Sequence, residues 1–284
     1  MDTMDEGQLP LRVGTLCSGS KGNAVYIEYG GTSVLIDCGI SCRALTAALA
    51  QQGRTPDDLD GVFVTHEHSD HVRGLKMLMK KHRVPIHMTQ STADVYCAEN
   101  AGVDAECIVC HPSVFSERVG GVTVSSFPTS HDSVQSVGYR ISAGNLAVAV
   151  ATDMGYVSDS VRQNLLGAKY VVLESNHDEN MLLLGPYPYH LKRRILSRRG
   201  HLSNDDAAAL AVELLQNGTE RILLAHLSEN NNTPLLARQT VLSALQLAGI
   251  DNASERIRVA KPDTFTALAD DLQEVIARDS CSSA

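Results

Sequence analysis

Positive charge is scarce in this chain. Twenty-four Lys and Arg stand against 33 Asp and Glu, a net charge of -9. The average surface therefore repels nucleic acid, and a nucleic-acid function would need a local basic patch and metal ions to offset the acids. Long apolar runs are missing too: none reaches membrane-spanning length, so no membrane partner is expected. The start, "MDTMDEGQLP", is acidic and has no apolar core. No secretory signal is expected, and the protein reads as cytoplasmic and soluble. The chain also lacks an even cysteine framework. Its seven cysteines, without a sign of export, read as mostly free thiols. "CIVCH" (Cys107, Cys110, His111) has the spacing of covalent haem attachment. That attachment normally happens outside the cytoplasm, and a structural zinc would need two more ligands at comparable spacing. The segment reads as a short strand with two small apolar residues.

What is present is an ordinary globular composition, 43% hydrophobic and 20% charged, over 284 residues. That suffices for a sizeable core in one large domain or two small ones. Residues 1–10 are expected to be a flexible start, 11–275 a single domain and 276–284 a flexible tail, "RDSCSSA" being its end. β-rich runs bounded by glycine cover 11–19, 23–30 and 32–39. A helix is expected over 41–53, a buried strand at "GVFVTH" (61–66) and an amphipathic helix over 72–82. Strands recur at 119–131, 136–144 and 145–155, then at 168–175 and 220–228. The clearest helices are 204–218 and 233–249, each with a cap signal and a closing glycine. Strands in both halves, each group followed by helices, predict two sheets packed face to face with helices outside. The expected fold class is α/β, a four-layer αββα sandwich.

"THEHSDH" crowds His66, Glu67, His68, Asp70 and His71 onto the end of the buried strand. A packed core does not tolerate so many polar atoms without partners. In extended chain His66 and His68 point the same way, and Asp70 falls at the mouth of the next helix. An N-cap role would account for Asp70 alone and leave three histidines unexplained. The pattern therefore reads as a metal site. One loop cannot supply every ligand. His131 follows "SSFPTS", Asp153 follows "LAVAVAT" and His226 follows "RILLA". Each is a ligand-type residue appended to an apolar strand, where a sheet presents its functional edge.

These motifs, with "TLCSGSKGN", "VLIDCG", "ATDMG" and "LAHLSENNNTP", occur in an order that resembles the metallo-β-lactamase superfamily over most of the chain. "LESNHD", "GPYPYHLKRRIL" and "GHLSN" are similar to its YycJ/WalJ-like branch, metallohydrolases related to phosphodiesterases and nucleases. The resemblance implies the αββα sandwich and two divalent metal ions. Carried over by position, His66, His68 and His131 would hold one ion, Asp70, His71 and His226 the second, and Asp153 would bridge them. Asp37 matches the superfamily's strand-end acid that supports the ligand loop. Its other reading is a plain turn aspartate. Imidazole and carboxylate ligands suit Zn2+, Mn2+ or Fe alike. Two such ions roughly 3.5–4 Å apart would activate a bridging hydroxide for in-line attack at phosphorus.

Asp70 and His201 are the residues expected to act in catalysis. His201, in "GHLSN", is expected to protonate the leaving oxygen, as a non-ligand histidine does in related phosphodiesterases. His177 and Asp178 either contact substrate, orient His201 or cap the following helix; His177 and Asn176 are counted with the substrate contacts. Lys192, Arg193 and Arg194 belong to a basic run, 189–200, that either forms a solvated face or grips a polyanionic backbone. On a helix, Leu191, Ile195 and Leu196 would face inward. Ser20 and Asn23 sit in a Gly/Ser loop that either holds a phosphate or makes a tight hairpin. The branch resemblance implies a phosphodiesterase acting on nucleic acid, a 5′–3′ DNA exonuclease. A thioester, lactone or β-lactam hydrolase would share the same ligands, and a non-catalytic binding protein would keep the fold alone. The oligomeric state is not legible.

Overall fold

The computed structural model describes residues 10–270; of the flexible ends expected at 1–10 and 276–284, all but Pro10 lie outside them. The strands are β1 Leu11–Cys17, β2 Ala24–Tyr29, β3 Thr32–Ile36, β4 Gly61–Phe63, β5 Ile86–Thr89, β6 Ile108–His111, β7 Ser116–Val119, β8 Val122–Pro128, β9 Val137–Ala143, β10 Leu146–Ala151, β11 Tyr170–Glu174, β12 Arg221–Ala225, β13 Ile257–Val259 and β14 Thr266–Asp270. The helices are α1 Cys42–Ala50, α2 Ser69–Val72, α3 Leu75–His82, α4 Gln90–Glu99, α5 Asp159–Leu165, α6 Glu179–Leu184, α7 Tyr189–Ile195, α8 Asn204–Gln216, α9 Pro234–Leu247 and α10 Ala253–Arg256.

The strands make two seven-stranded sheets, ordered β14-β1-β2-β3-β4-β5-β6 and β13-β12-β11-β10-β9-β8-β7. Each begins as an antiparallel meander and continues through parallel strands, β3 to β6 in one sheet and β10 to β13 in the other. Alternation along the strands decides the layers. Val25, Ile27, Val34, Ile36 and Phe63 of the first sheet meet Val124, Tyr139, Ile141, Val148, Val150 and Leu223 of the second between the sheets. The opposite faces are apolar as well. Tyr26, Leu35 and Val62 bury against Leu45, Leu49, Leu75 and Met79 of α1 and α3. Ala147, Ala149 and Ala151 admit the close approach of helices carrying Val161, Leu165, Ala211, Leu214 and Val241. This is the αββα sandwich.

Two expectations need correction. The helix foreseen over 72–82 is broken into α2 and α3 at Arg73–Gly74. Gly74 packs on the turn after β3: its N–H donates to Cys38 O at 2.8 Å, and a Cβ there would lie 2.2 Å from Ile40 O. Leu196 does not face inward but ends α7 with 43% exposure, whereas Ile195 is buried. The thiols behave as expected: Cys17, Cys38, Cys42, Cys97, Cys107 and Cys110, all within the described residues, are free.

Candidate metal centre

The parallel strands of both sheets deliver their C-terminal ends to one edge of the sandwich, and the polar residues that follow them converge there. Asp37 comes after β3, the 65–71 loop after β4, His131 after β8, Asp153 after β10, Glu174 at the end of β11 and His226 after β12. Asp37, Asp153 and His226 hold left-handed backbone conformations, φ 63°, 58° and 56°. Such angles are uncommon for residues other than glycine and turn each chain sharply as it leaves its strand.

Asp37 organises the histidine loop. It accepts from the Thr65 N–H at 2.8 Å and from the Thr65 hydroxyl at 2.8 Å, and it holds His71 Nδ1 at 2.7 Å. His71 Nε2 is thereby turned to the centre, 3.3 Å from Asp153 Oδ2 and 3.5 Å from Asp70 Oδ2. Gly39 lets α2 come this close, since a Cβ there would lie 1.6 Å from Asp70 O. His68, not Asp70, occupies the N-cap position of α2, without a side-chain cap bond, and the Asp70 carboxylate has no capping duty. Glu67 points away and accepts from the Val134 N–H at 2.8 Å.

His131 donates from Nδ1 to Gly200 O at 3.0 Å, so its Nε2 is the atom near Asp153, 3.7 Å from Oδ1. His226 has Nδ1 3.1 Å from Glu174 Oε1 and Nε2 3.5 Å from Asp70 Oδ2. The ligand-type atoms of His66, His68 and His131 lie within 4.8 Å of one another, as do those of Asp70, His71 and His226, those of His66, His71 and Asp153, and those of Asp153, Glu174, His201 and His226. Asp153 thus touches both triads.

The donor set fits divalent cations. His66 Nε2 and His68 Nδ1 face each other at 3.0 Å, a contact in which one nitrogen at most can donate. Asp153 Oδ2 is buried with no hydrogen-bond partner among the described residues. A cation satisfies both. Burial, reinforced by His71, His131 and His68, holds the His66 imidazole well below its usual pKa and so in the neutral form a metal requires. Burial works against the charge on Asp70, but hydrogen bonds from His226 and His71 outweigh it and keep the carboxyl ionised. Burial opposes His226 in the same way, yet Asp153, Asp70 and Glu174 lift it to about 10 in the absence of a cation.

Glu174 escaped the sequence reading. It is fully buried at the end of β11. Its Oε1 lies 2.8 Å from His201 Nδ1 as well as 3.1 Å from His226 Nδ1, while Oε2 accepts from the N–H groups of Met154 and Leu202. The signal was the one used for Asp153 and His226, a polar residue closing an apolar strand. Glu174, rather than His177 or Asp178, orients His201. Asp178 caps α6 through Met181 N at 2.7 Å.

A cleft of about 180 Å³ opens over the centre, lined by Ser20, Asn176, Arg194, His201, His226 and Ser228, with Tyr187 and Asp132 at its wall. Arg194 Nε donates to Asp132. Other proposed contacts sit elsewhere. Asn23 is behind the ligands, its amide nitrogen 3.3 Å from His71 Nε2 and its oxygen accepting from the Gly19 N–H at 3.0 Å. His177 is buried, and neither ring nitrogen has a partner among the described residues. Lys192 Nζ donates to Leu183 O at 2.7 Å and Gly185 O at 2.8 Å, tying α7 to α6. Arg193 is exposed, 5.8 Å from the Tyr189 ring centroid, and is not among the residues that line the cleft.

The family model described as a β-lactamase superfamily domain matches residues 32–227, from β3 through the last candidate ligand. The chain belongs to the metallo-β-lactamase superfamily. Within the superfamily it is similar to the exodeoxyribonuclease YycJ of Bacillus anthracis, 39% identical over 84% of this chain and 90% of that one. It is likewise similar to the exodeoxyribonuclease WalJ of Streptococcus pneumoniae, 34% identical over 93% of this chain and 99% of that one. This metallo-β-lactamase superfamily chain is therefore YycJ/WalJ-like. Among solved structures it superposes on the metallo-β-lactamase fold protein YhfI of Bacillus subtilis with a TM-score of 0.66, covering 92% of this chain and 100% of that one at 19% identity. Among the described residues, no helix is long and apolar enough to cross a membrane.

Proposed function

We propose that this chain is a metal-dependent nuclease, a DNA exonuclease that uses two divalent cations, Zn2+, Mn2+ or Fe, and runs 5′ to 3′ as the branch resemblance implies. The observation that carries the reading is the pairing of two ligand triads joined by Asp153 with a His201 that stands outside both triads and is held by Glu174 at the cleft. The similarity to two exodeoxyribonucleases over most of the chain supports the same substrate class. Cations held by the triads would supply Lewis-acid activation of water and neutralise charge on the phosphoryl oxygens. The protein does the rest. Glu174 engages His201 Nδ1, which leaves Nε2 as the atom able to hand a proton to the leaving oxygen. Arg194, Asn176, Ser20 and Ser228 line the space a phosphodiester would enter. Asp37 fixes His71 and the Thr65 backbone and so holds the ligand loop in place.

The test supplies purified protein with Mn2+ or Zn2+ and three substrates: bis(p-nitrophenyl) phosphate, a thioester and end-labelled DNA. Hydrolysis of both phosphodiesters is expected, with a 5′ label released first as a mononucleotide. Hydrolysis of the thioester alone overturns the reading, and early release of a 3′ label reverses the polarity.

A further inference from the structure

Beside the metal cleft lies a second cavity that the proposed chemistry does not use. It measures about 330 Å³, against about 180 Å³ for the cleft. The loops after β1, β12 and β13 build it, at the same edge of the sandwich as the metal centre. Leu227, Pro234, Ala260 and Pro262 give it apolar walls. Its polar side faces the centre. Ser228 lines both cavities. In the 18–22 loop Ser20 lines the cleft, whereas its neighbours Gly19 and Lys21 line the cavity, so the loop is a thin partition between the two. Gly19 keeps it thin: its φ is 133°, and a Cβ there would lie 3.4 Å from Leu227 O. Ser18 Oγ accepts from the His226 N–H at 2.8 Å, which sets this wall directly against a candidate ligand. Ser228 Oγ accepts from the Asn231 N–H at 3.2 Å and from Asn231 Nδ2 at 3.3 Å. Both hydroxyls act as acceptors in these bonds, and among the described residues neither donates its own hydrogen. On the solvent side Lys21 Nζ pairs with Glu229 at 2.9 Å.

We propose that this cavity receives the terminal nucleoside of the strand whose phosphodiester occupies the cleft. The inference rests on the nuclease reading and adds a subsite to it. A nucleoside has the chemistry the cavity asks for: ring faces to bury, a polar edge, and a short sugar that joins it to the phosphate. The volume falls within the range of roughly 300–1,000 Å³ usual for small-molecule sites. Burial of the ring against the apolar walls supplies affinity. A hydroxyl can donate or accept, so Ser18 and Ser228 suit the edge of any base and the subsite is sequence-tolerant. Ser228, shared by the two cavities, lets one nucleotide place its phosphate in the cleft and its base beyond the partition. Only the last nucleoside enters. The subsite therefore asks for the opening of a terminal pair and nothing of the pairing of the remaining strand.

The experiment is calorimetry on metal-loaded protein with two ligands, thymidine 5′-monophosphate and 2-deoxyribose 5-phosphate, which differ only in the base. The wild type should bind the nucleotide about 10-fold more tightly. Ala260→Leu and Pro234→Trp fill the cavity from a buried and an exposed wall. Each should erase that ratio and leave the affinity for the sugar phosphate as it was. Leu235→Trp, at a 74% exposed position outside the cavity, should keep the ratio. All three variants should retain the wild-type thermal midpoint and the hydrolysis of bis(p-nitrophenyl) phosphate, which has no nucleoside to place. Equal binding of the two ligands by the wild type, or a ratio that both filling variants preserve, overturns the subsite. So does thymidine that binds as tightly as its monophosphate yet leaves DNA hydrolysis uninhibited, since the cavity would then serve a ligand unconnected with the reaction. Hydrolysis separates the two readings. If DNA is degraded while the wild type binds the two ligands equally, the subsite alone is removed. If neither bis(p-nitrophenyl) phosphate nor DNA is hydrolysed with Mn2+ or Zn2+, the nuclease reading falls and the subsite with it.

Discussion

Glu174 is the residue on which the centre turns, because one carboxylate serves two histidines with different duties. It holds both His226, a proposed ligand, and His201, the proposed proton donor, and its second oxygen is fixed by two backbone N–H groups. Glu174→Gln keeps the shape but turns one acceptor into a donor. Metal affinity and turnover should both fall about 10–100-fold, the usual effect of losing a ligand's hydrogen-bond partner. Elemental analysis and bis(p-nitrophenyl) phosphate kinetics measure the two separately. His201→Ala should behave otherwise: turnover down about 10²–10⁴-fold with full metal content. Equal loss of metal in both variants would place His201 among the ligands. The histidines and aspartates were legible in the sequence because each stands where apolar alternation stops. Glu174 obeys the same rule. It was hidden because "LESNHD" offers five polar residues in a row, and only the tertiary approach of His201 and His226 selects among them.

At the scale of elements, legibility follows burial on two faces. β10, β11 and β12 are continuous apolar runs because helices cover the outer face and the other sheet covers the inner. β5, β7 and β13 are three or four residues long, and β7 and β13 sit at sheet edges, so no alternation accumulates; β6, an equally short edge strand, was read from "CIVCH". The "CIVCH" segment shows what such an edge can hide. His111 stacks on Phe115 at 3.9 Å and on His87 at 5.3 Å, and His87 stacks on Phe63 at 4.4 Å. The histidine is a plate in an aromatic stack, with His87 Nδ1 3.0 Å from His111 Nε2. Burial, then the neighbouring His111, pushes the His87 pKa from 6.5 down to about 4. The sign follows from proton binding: between these values the unfolded chain takes up a proton that the folded chain refuses. This share of stability is complete above about 6.5 and is lost as pH falls towards about 4. His87→Phe keeps the stack without the titration. Its thermal midpoint should therefore decline less between these pH values than that of the wild type, as calorimetry across the range would show. Parallel declines would mean that His87 is solvated in the native state.

For the molecule as a whole, the centre is also a joint. The His66–His71 loop belongs to the first sheet, whereas His131, Asp153 and His226 belong to the second. Between the sheets lies an apolar core crossed by the Tyr139 hydroxyl, which donates to Val64 O at 2.6 Å. At the edge the contacts are directional, and without a cation they bring ionised carboxylates and a cluster of imidazoles together. Asp153 Oδ2, which has no hydrogen-bond partner among the described residues although His71 Nε2 lies 3.3 Å away, is a place where a cation would add a favourable contact. Binding that favours the folded state over the unfolded one stabilises by RT ln(1 + [L]/Kd), about 2.7 kcal/mol at a free concentration 100-fold above Kd. For a chain of this size that corresponds to about 5–10 °C in thermal midpoint. Chelation should therefore lower the midpoint of the whole cooperative transition, because the ligands span both sheets and neither can loosen alone. Adding back Mn2+ or Zn2+ should restore it. Replacing Asp153 by Asn should remove most of the gap between chelated and loaded protein, since Asp153 joins the two triads. A midpoint that stays put after elemental analysis has confirmed metal loss would mean that the sheets are held by their core alone. The centre would then contribute to chemistry but not to stability.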